Sequence, residues 1–284
     1  MDLWLFVLLL GLVAIAAGLI GSLTGLGGGV IMIPVLVILF GVPFPLAVGT
    51  GVITILATSS TTGAAYVRDR LSDIRIGMFL EIATVPGALL GATLTVLLVH
   101  ASLSNALLIA LGIVLLSIVP GAIARRHEEL PHDVRPDARS QRLGFTGEYH
   151  DAALDRDVPY VAADTDPALG VMFGAGFVSG MFGIGAGVFK VLALERFLRL
   201  PMKVSTATSN FMIGVTAAAG AGVLFTAGYV NPLFAAPAAL GTALGAYGGS
   251  RILPRLRNRT VRLIFLPIVV LLAVEVILRG LGWL

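Results

Sequence analysis

The sequence contains no cysteine, and only 12% of its 284 residues are charged. Disulfide bonds and thiol chemistry are therefore excluded. A soluble domain carries about 25% charged residues, so the shortage of charge argues against an ordinary soluble domain. The four histidines lie in loops without metal-ligand grouping. No paired carboxylates within a hydrophobic segment and no serine–histidine–acid pattern appear, so we expect no enzyme, no metal and no cofactor.

Long apolar runs dominate the chain, which is 57% hydrophobic. Five runs precede and five follow a polar stretch at 125–166: roughly 3–23, 29–41, 46–67, 75–98 and 103–123, then 168–182, 187–199, 204–227, 232–252 and 261–279. Runs of this kind predict an all-α polytopic membrane protein whose first run is a retained helix. The net charge of +3 comes mostly from arginines beside the runs. The expected partner is therefore the lipid bilayer surface and not nucleic acid.

Residues 11–96 are repeated at 169–254, shifted by 158 positions without a gap. Matching positions are Gly18 with Gly176, Pro43 with Pro201, Thr50 with Thr208, and the pair Gly87/Gly91 with Gly245/Gly249. Two units of one kind, each interrupted by a glycine cluster, are typical of a carrier with its site between the repeats. We divide the chain into a first repeat at 1–124, a loop at 125–166 and a second repeat at 167–284.

The arginines predict that the two repeats have inverted topology. Loops 41–45, 99–104 and 224–233 have no Lys or Arg, whereas their repeat mates have two at 199–203, with Arg196 just before, and three each at 257–262 and 66–75. This inversion at all three positions is what the positive-inside rule requires of units inserted in opposite directions. Each half then crosses the membrane an odd number of times, three or five. The prediction is a multi-pass plasma (inner) membrane protein with a cytoplasmic central loop and both termini outside.

The central loop carries more acidic than basic residues. One interpretation is a solvated linker. The alternating spacing of Phe145, Tyr149, Val158, Tyr160 and Val161 instead favours a short hairpin.

The glycine clusters are the first candidate site. They comprise Gly25, Gly27, Gly28 and Gly29 in the first half and Gly183, Gly185, Ala186 and Gly187 in the second. Glycine inside a helix costs about 1 kcal/mol relative to alanine, so such clusters open the helix or admit another backbone. Exposed N–H groups and helix N-termini suit an anion. Close helix packing is the alternative, and it is our interpretation of Gly87/Gly91 and Gly245/Gly249. No nucleotide-binding fingerprint is present, because Val30 stands where the third glycine is required.

Two ionisable residues stand within apolar runs. Lys190 follows the second glycine cluster, and Glu81 lies in the fourth run. Mid-membrane charges are rare and functional by default, so Lys190 is a candidate anion contact and Glu81 a candidate for proton coupling. The alternatives are that Lys190 reaches the cytoplasmic rim or pairs with Glu195, and that Glu81 lies close to Arg75.

Hydroxyl and amide side chains form the third group of candidates. Thr50 and Thr208 are repeat mates at the start of long runs, and Ser209 and Asn210 extend the polar face in the second half. Such groups bind oxyanions without a full charge. The alternative, hydrogen bonding between helices or to helix carbonyls, is the better interpretation of any single one of them.

The strings at 25–34, 43–50 and especially 201–214 (PMKVSTATSNFMIG) resemble the TauE/SafE family of anion permeases, in the toluene sulfonate uptake permease superfamily. The GEYHD segment at 147–151 also resembles the central segment of that family. The resemblance covers nearly the whole chain and implies transport of small sulfur oxyanions or organosulfonates.

We therefore expect a secondary transporter, an exporter of sulfite or a related anion, that works by alternating access. The predicted substrate contacts are Gly27, Gly28, Gly29, Thr50, Gly185, Ala186, Gly187, Lys190, Thr208, Ser209 and Asn210. An anion channel of the same fold and a conduit that passes a sulfur compound to a cytoplasmic partner remain open as alternatives. The sequence leaves monomer and homodimer equally open.

Overall fold

The computed structural model describes residues 3–25, 27–124, 134–151, 155–252 and 258–283. The first half forms α1 (Leu3–Thr24), α2 (Gly29–Ile38), α3 (Phe44–Arg68), α4 (Ile74–His100) and α5 (Ser104–Ala124). The central segment forms α6 (Ala138–Leu143), β1 (Thr146–Asp151) and β2 (Arg156–Val161). The second half forms α7 (Thr165–Phe182), α8 (Gly187–Arg196), α9 (Met202–Thr226), α10 (Pro232–Ile252) and α11 (Asn258–Gly280). All ten predicted apolar runs are helices, so the all-α fold is confirmed.

Four helices in the described part of the chain are long and apolar enough to span a membrane, by length and composition alone. These are Trp4–Thr24, Phe44–Arg68, Ile74–His100 and Met202–Thr226. Helices α2 and α8 have ten residues each. Ten residues rise about 15 Å, half of a hydrocarbon core of about 30 Å. Neither helix can cross a bilayer alone.

Each short helix returns the chain to the end of the bundle from which it came. In the first half, the rings of Phe6 in α1 and Phe40 just after α2 are 5.2 Å apart. In the second half, Leu198 just after α8 accepts a 3.1 Å hydrogen bond from the N–H of Ala163 just before α7. The α1–α2 and α7–α8 pairs are therefore hairpins. Three further helices follow the hairpin in each half, α3 to α5 in the first and α9 to α11 in the second.

The two halves run in opposite directions through the bundle. Helix α4 starts against the central segment, where Tyr160 donates a 3.0 Å hydrogen bond to Asp73. Its mate α10 starts at the other end, where the rings of Phe234 and Phe6 are 5.7 Å apart. We call the end that holds the central segment the basic end. Arg68 and Arg251, one from each half, line one cavity of about 740 Å³ there.

Glycines bring the two halves into contact through two equivalent helix pairs. A Cβ added at Gly87 or Gly91 in α4 would overlap the carbonyl oxygen of Phe173 or Phe177 in α7. A Cβ added at the mate Gly245 in α10 would overlap a carbonyl oxygen of α1 in the same way. The packing interpretation of these glycines is confirmed. The same kind of interface occurs twice, once between α4 and α7 and once between their repeat mates α10 and α1.

The central segment is a docked hairpin, so the interpretation as a solvated linker is wrong. Strands β1 and β2 pair antiparallel, with Tyr149 opposite Val158. The Tyr149 side chain is 3% exposed and packs in the same apolar cluster as Tyr66 of α3 and Leu200 before α9. Alternating apolar residues give the hairpin one apolar face, which is buried against the helices of the bundle.

The hairpin also binds both halves through polar contacts. Lys203 at the start of α9 pairs with Asp151 at an Nζ–Oδ1 distance of 2.7 Å. Tyr160 binds Asp73, as described above, and burial followed by the Asp73 carboxylate raises the pKa of Tyr160 above its usual value. The phenol therefore remains a hydrogen-bond donor at every physiological pH.

Candidate functional site

Both glycine clusters open their hairpins by adopting left-handed backbone. Gly25 and Gly27 each have φ of +74°, and Gly183 and Gly185 have φ of +65° and +73°. Side chains rarely tolerate this region. Ala186 also lies there, at φ of +46°, although its repeat mate Gly28 has an ordinary helical φ of −66°. The second break is therefore the more strained of the two.

The two breaks lie against each other inside the protein. A Cβ added at Gly29 would lie 2.8 Å from the carbonyl oxygen of Gly183. The Ser209 hydroxyl is 3.0 Å from the carbonyl oxygen of Gly25 and 3.3 Å from that of Gly187. Ser209 thus donates to backbone of both breaks and ties them to α9.

Two buried helix N-termini meet where the breaks meet. Helix α2 begins at Gly29 and α8 at Gly187, and both starting residues are buried. The first N–H groups of a helix have no partner within the helix, and neither Gly28 nor Ala186 has a polar side chain to cap them. The positive ends of two helix dipoles therefore converge on one region of the interior.

The threonine mates differ in their surroundings, although both are fully buried. Thr208 accepts a 2.9 Å hydrogen bond from the N–H of Asp73, just before α4. The Thr50 hydroxyl has no hydrogen-bond partner among the described residues. Thr50 lies on α3 between Val48 and Gly51, which both lie against Gly183 at the second break. Thr50 is therefore the hydroxyl that is free to bind something else.

Asn210 links α9 to the first hairpin. Its Nδ2 donates a 3.1 Å hydrogen bond to the carbonyl oxygen of Ser22 in α1. Its Oδ1 is buried and has no partner in the described part of the chain. The amide donor is thus used in holding the hairpin, as is the Ser209 hydroxyl.

Lys190 and Glu81 form a buried ion pair between the halves. Lys190 in α8 is 0% exposed and Glu81 in α4 is 4% exposed. Their Nζ and Oε1 atoms are 3.2 Å apart. The Thr216 hydroxyl of α9 lies 2.8 and 2.9 Å from the two Glu81 oxygens and accepts from Lys190. We call these three residues the charged triad.

Both alternative interpretations of these charges are wrong. Lys190 does not reach the rim, because it lies in the first turn of a short helix that starts inside the protein. Its ion-pair partner is Glu81 and not Glu195. Arg75 donates to the carbonyl oxygen of Gly144 in the central segment instead of approaching Glu81.

The triad adjoins the breaks. The Lys190 N–H donates to the Ala186 carbonyl, within the second break. The next residue, Val191, places its side chain 3.2 Å from a Cβ added at Gly25 in the first break. The ion pair therefore lies next to the backbone of both breaks.

Sequence reasoning missed Thr216. The repeat offered one signal, because the mate of Thr216 is Thr58, so a hydroxyl stands at this position in both halves. The mates of Lys190 and Glu81 are Met32 and Ala239. The two charges of the triad therefore occur once in the chain, whereas a threonine stands at the position of its hydroxyl in both halves. Within the described ranges, no group of three His, Asp or Glu residues could hold a metal ion.

Inverted halves, broken hairpins and a buried polar centre define a multi-pass membrane transporter. The sequence profile of the family described as Sulfite exporter TauE/SafE matches residues 10–276. The chain belongs to this family, whose members transport and do not catalyse.

Curated relatives from Bacillus subtilis (strain 168) agree with this class. The chain is 28% identical over 285 residues to "Probable membrane transporter protein YunE", covering 98% of each chain. It is 26% identical to "Probable membrane transporter protein YjnA", covering 94% of this chain and 98% of that one. "Probable membrane transporter protein YdhB" is 24% identical, covering 86% and 89%. No solved structure matches the chain.

Proposed function

We propose that the protein is a secondary transporter that exports small anions, most of all sulfite or a related sulfur oxyanion or organosulfonate. The observation that carries this proposal is the meeting of two helix N-termini, one from each inverted half, at the glycine breaks. Dipole ends and the N–H groups of first helical turns attract anions without binding them too tightly to be released. The family's description as sulfite exporters supports the choice of substrate.

The proposed contacts are the backbone at the breaks and the side chains around them. They comprise Gly27, Gly28, Gly29, Gly185, Ala186 and Gly187, with Thr50, Thr208, Ser209, Asn210 and Lys190. Thr50 contributes a free hydroxyl, and Lys190 the positive charge. Ser209 and Asn210 act mainly by holding the breaks in position, since their donors bind backbone carbonyls.

Transport follows from the symmetry of the fold. The halves pack through two equivalent interfaces, so rocking one half against the other exposes the site to each side in turn. An inside-negative potential favours the exit of an anion by about 2.3 kcal/mol per charge per 100 mV. We propose that the basic end faces the cytoplasm, since Arg68, Arg251 and Lys203 gather there.

Counterflow of labelled sulfite in proteoliposomes tests this function. We expect saturable exchange, with competition by sulfate, thiosulfate and small sulfonates ranking the substrates. An anion channel would conduct without countertransport. Absence of exchange in folded protein, for every one of these anions, would contradict the proposal and favour a sulfur conduit or an unrelated anion.

A further inference from the structure

The charged triad lies across the interface between the halves. Glu81 comes from α4 of the first half, whereas Lys190 and Thr216 come from α8 and α9 of the second. In this arrangement the Lys190 charge is already neutralised by a carboxylate 3.2 Å away. An anion that approaches Lys190 must therefore compete with Glu81 for the same ammonium and hydroxyl donors.

The other described charges lie near helix ends or are paired elsewhere, so none takes the place of Glu81 beside Lys190. Helix α4 packs against α5, α7 and α9. The described ionisable groups on these helices and on α4 and α8 lie near helix ends: Arg75, His100, Asp166, Glu195, Arg196 and Lys203. Lys203 is paired with Asp151. Among the described groups, Lys190 is the one that pairs with Glu81, so the charge state of Glu81 decides whether Lys190 is available.

We propose that a proton is the second substrate of this protein, bound by Glu81 whenever an anion is bound by Lys190 and Thr216. This inference rests on the proposed anion transport. A proton from the aqueous side adds to the Glu81 carboxylate, the neutral acid releases Lys190, and the anion takes its place. On the other side the anion leaves, the proton returns to water, and Glu81 pairs with Lys190 again.

A single charged triad corresponds to one proton for each anion. Met32 and Ala239 occupy the positions that are equivalent to Lys190 and Glu81, so the first half alone provides the carboxylate and the second half alone the ammonium. A singly charged anion then moves without net charge. A doubly charged anion moves with its proton as one net negative charge, which the membrane potential still drives outward.

Proton movement in wild-type proteoliposomes provides the first test, with a trapped pH-sensitive dye and sulfite as the probe. Sulfite enters down its gradient in vesicles whose membrane potential is clamped, at a pH well above the second pKa of sulfite, where the dianion brings no proton of its own. The lumen should then acidify by one proton per anion. Acidification from diffusion of the protonated anion is measured in protein-free vesicles and subtracted. Sulfate serves as a second probe wherever it competes in counterflow.

The variant Glu81→Gln provides the second test, because glutamine keeps the shape of the neutral acid and cannot titrate. The apparent affinity of the wild type for the anion should fall by up to about tenfold for each unit of rising pH, because one proton binds with each anion. E81Q should lose this pH dependence and its anion-linked proton movement. The matched control Glu148→Gln, at an exposed carboxylate of β1, should keep both.

The outcomes separate this inference from the proposed function. Anion exchange by the wild type without proton movement would overturn proton coupling and leave the anion carrier intact. Proton movement that persists in E81Q would assign the proton to another group and also overturn the inference. Absence of exchange for every anion would contradict the transport function itself. If E81Q fails to fold, the wild-type proton count decides alone.

Discussion

At the scale of single residues, the Lys190–Glu81 pair shows what sequence reasoning can reach. Each residue was recognised as a buried charge that needs a partner, because apolar runs rarely contain one. Their pairing was not predictable, since they are 109 residues apart and belong to different halves. Only the packing of α4 beside α8 and α9 brings them together, and no periodicity within a run encodes that contact.

The ion pair predicts how substitutions change stability, and the equivalent residues of the other half provide the control variant. Removing one partner of a buried ion pair costs about 3–5 kcal/mol, whereas a well-packed apolar replacement of both is often neutral. We expect Glu81→Ala or Lys190→Met alone to lower the melting temperature in detergent. The double variant copies Ala239 and Met32 of the other half and should regain most of the loss.

Thermal unfolding of the four proteins, followed by monomer recovery on size exclusion, measures this pattern. A double variant less stable than both single variants would show that the two charges do not form one unit. Transport by the double variant should remain defective although its fold is restored.

The threonine mates form a second matched pair. Thr208 accepts the N–H of Asp73 at 2.9 Å, whereas the Thr50 hydroxyl has no partner among described residues. Thr208→Val should therefore destabilise by about 1 kcal/mol through a lost hydrogen bond. Thr50→Val should leave stability unchanged or raise it, because a buried hydroxyl without a partner costs free energy, and it should raise the concentration for half-maximal exchange. Unchanged exchange in T50V would remove this hydroxyl from the site.

At the scale of elements, the helices were the most predictable part. Alignment of the repeats anticipated their bounds, since α2 and α8, and α3 and α9, begin and end at positions that differ by the same 158 residues. The clusters at Gly25 and Gly183 indicated where the hairpins open. Whether the hairpins return to one end or cross was left open, because it depends on contacts such as Phe6 with Phe40.

Helix contact in the membrane depends on small residues, so glycines on α4 and α7 should differ sharply in tolerance. A Cβ added at Gly91 would overlap the carbonyl of Phe177, whereas a Cβ at Gly174 meets nothing within 4 Å. We expect Gly91→Ala to separate α4 from α7 and to lower the melting temperature by several degrees. Gly174→Ala is the control and should be neutral or slightly stabilising, because alanine favours helix by about 1 kcal/mol. Equal stability of the two variants would contradict the close packing.

At the scale of the whole molecule, inversion of the halves was predictable from arginine placement, while the role of the central segment was not. The docked hairpin joins the halves through Asp73 of the first and Lys203 of the second. Its acidic composition resembles that of a linker. The spacing of Phe145 and Tyr149 favours a hairpin, and both side chains are buried, but the surface that covers them appears only in the structure.

The topology has a direct test because the chain has no cysteine of its own. Arg68 and Thr226 are repeat mates 158 residues apart, both exposed, at the ends of α3 and α9. Units inserted in opposite directions place these mates on opposite sides of the membrane. We expect a membrane-impermeant maleimide to label the Thr226→Cys variant in intact spheroplasts, and the Arg68→Cys variant only after lysis. Thr146→Cys, on the exposed edge of β1, should behave like R68C, since the central segment lies at the basic end.

Labelling of R68C and T226C from the same side would contradict inversion. Reversed labelling of all three variants would retain inversion and place the basic end outside, which would require the anion to enter the export pathway from the opposite end.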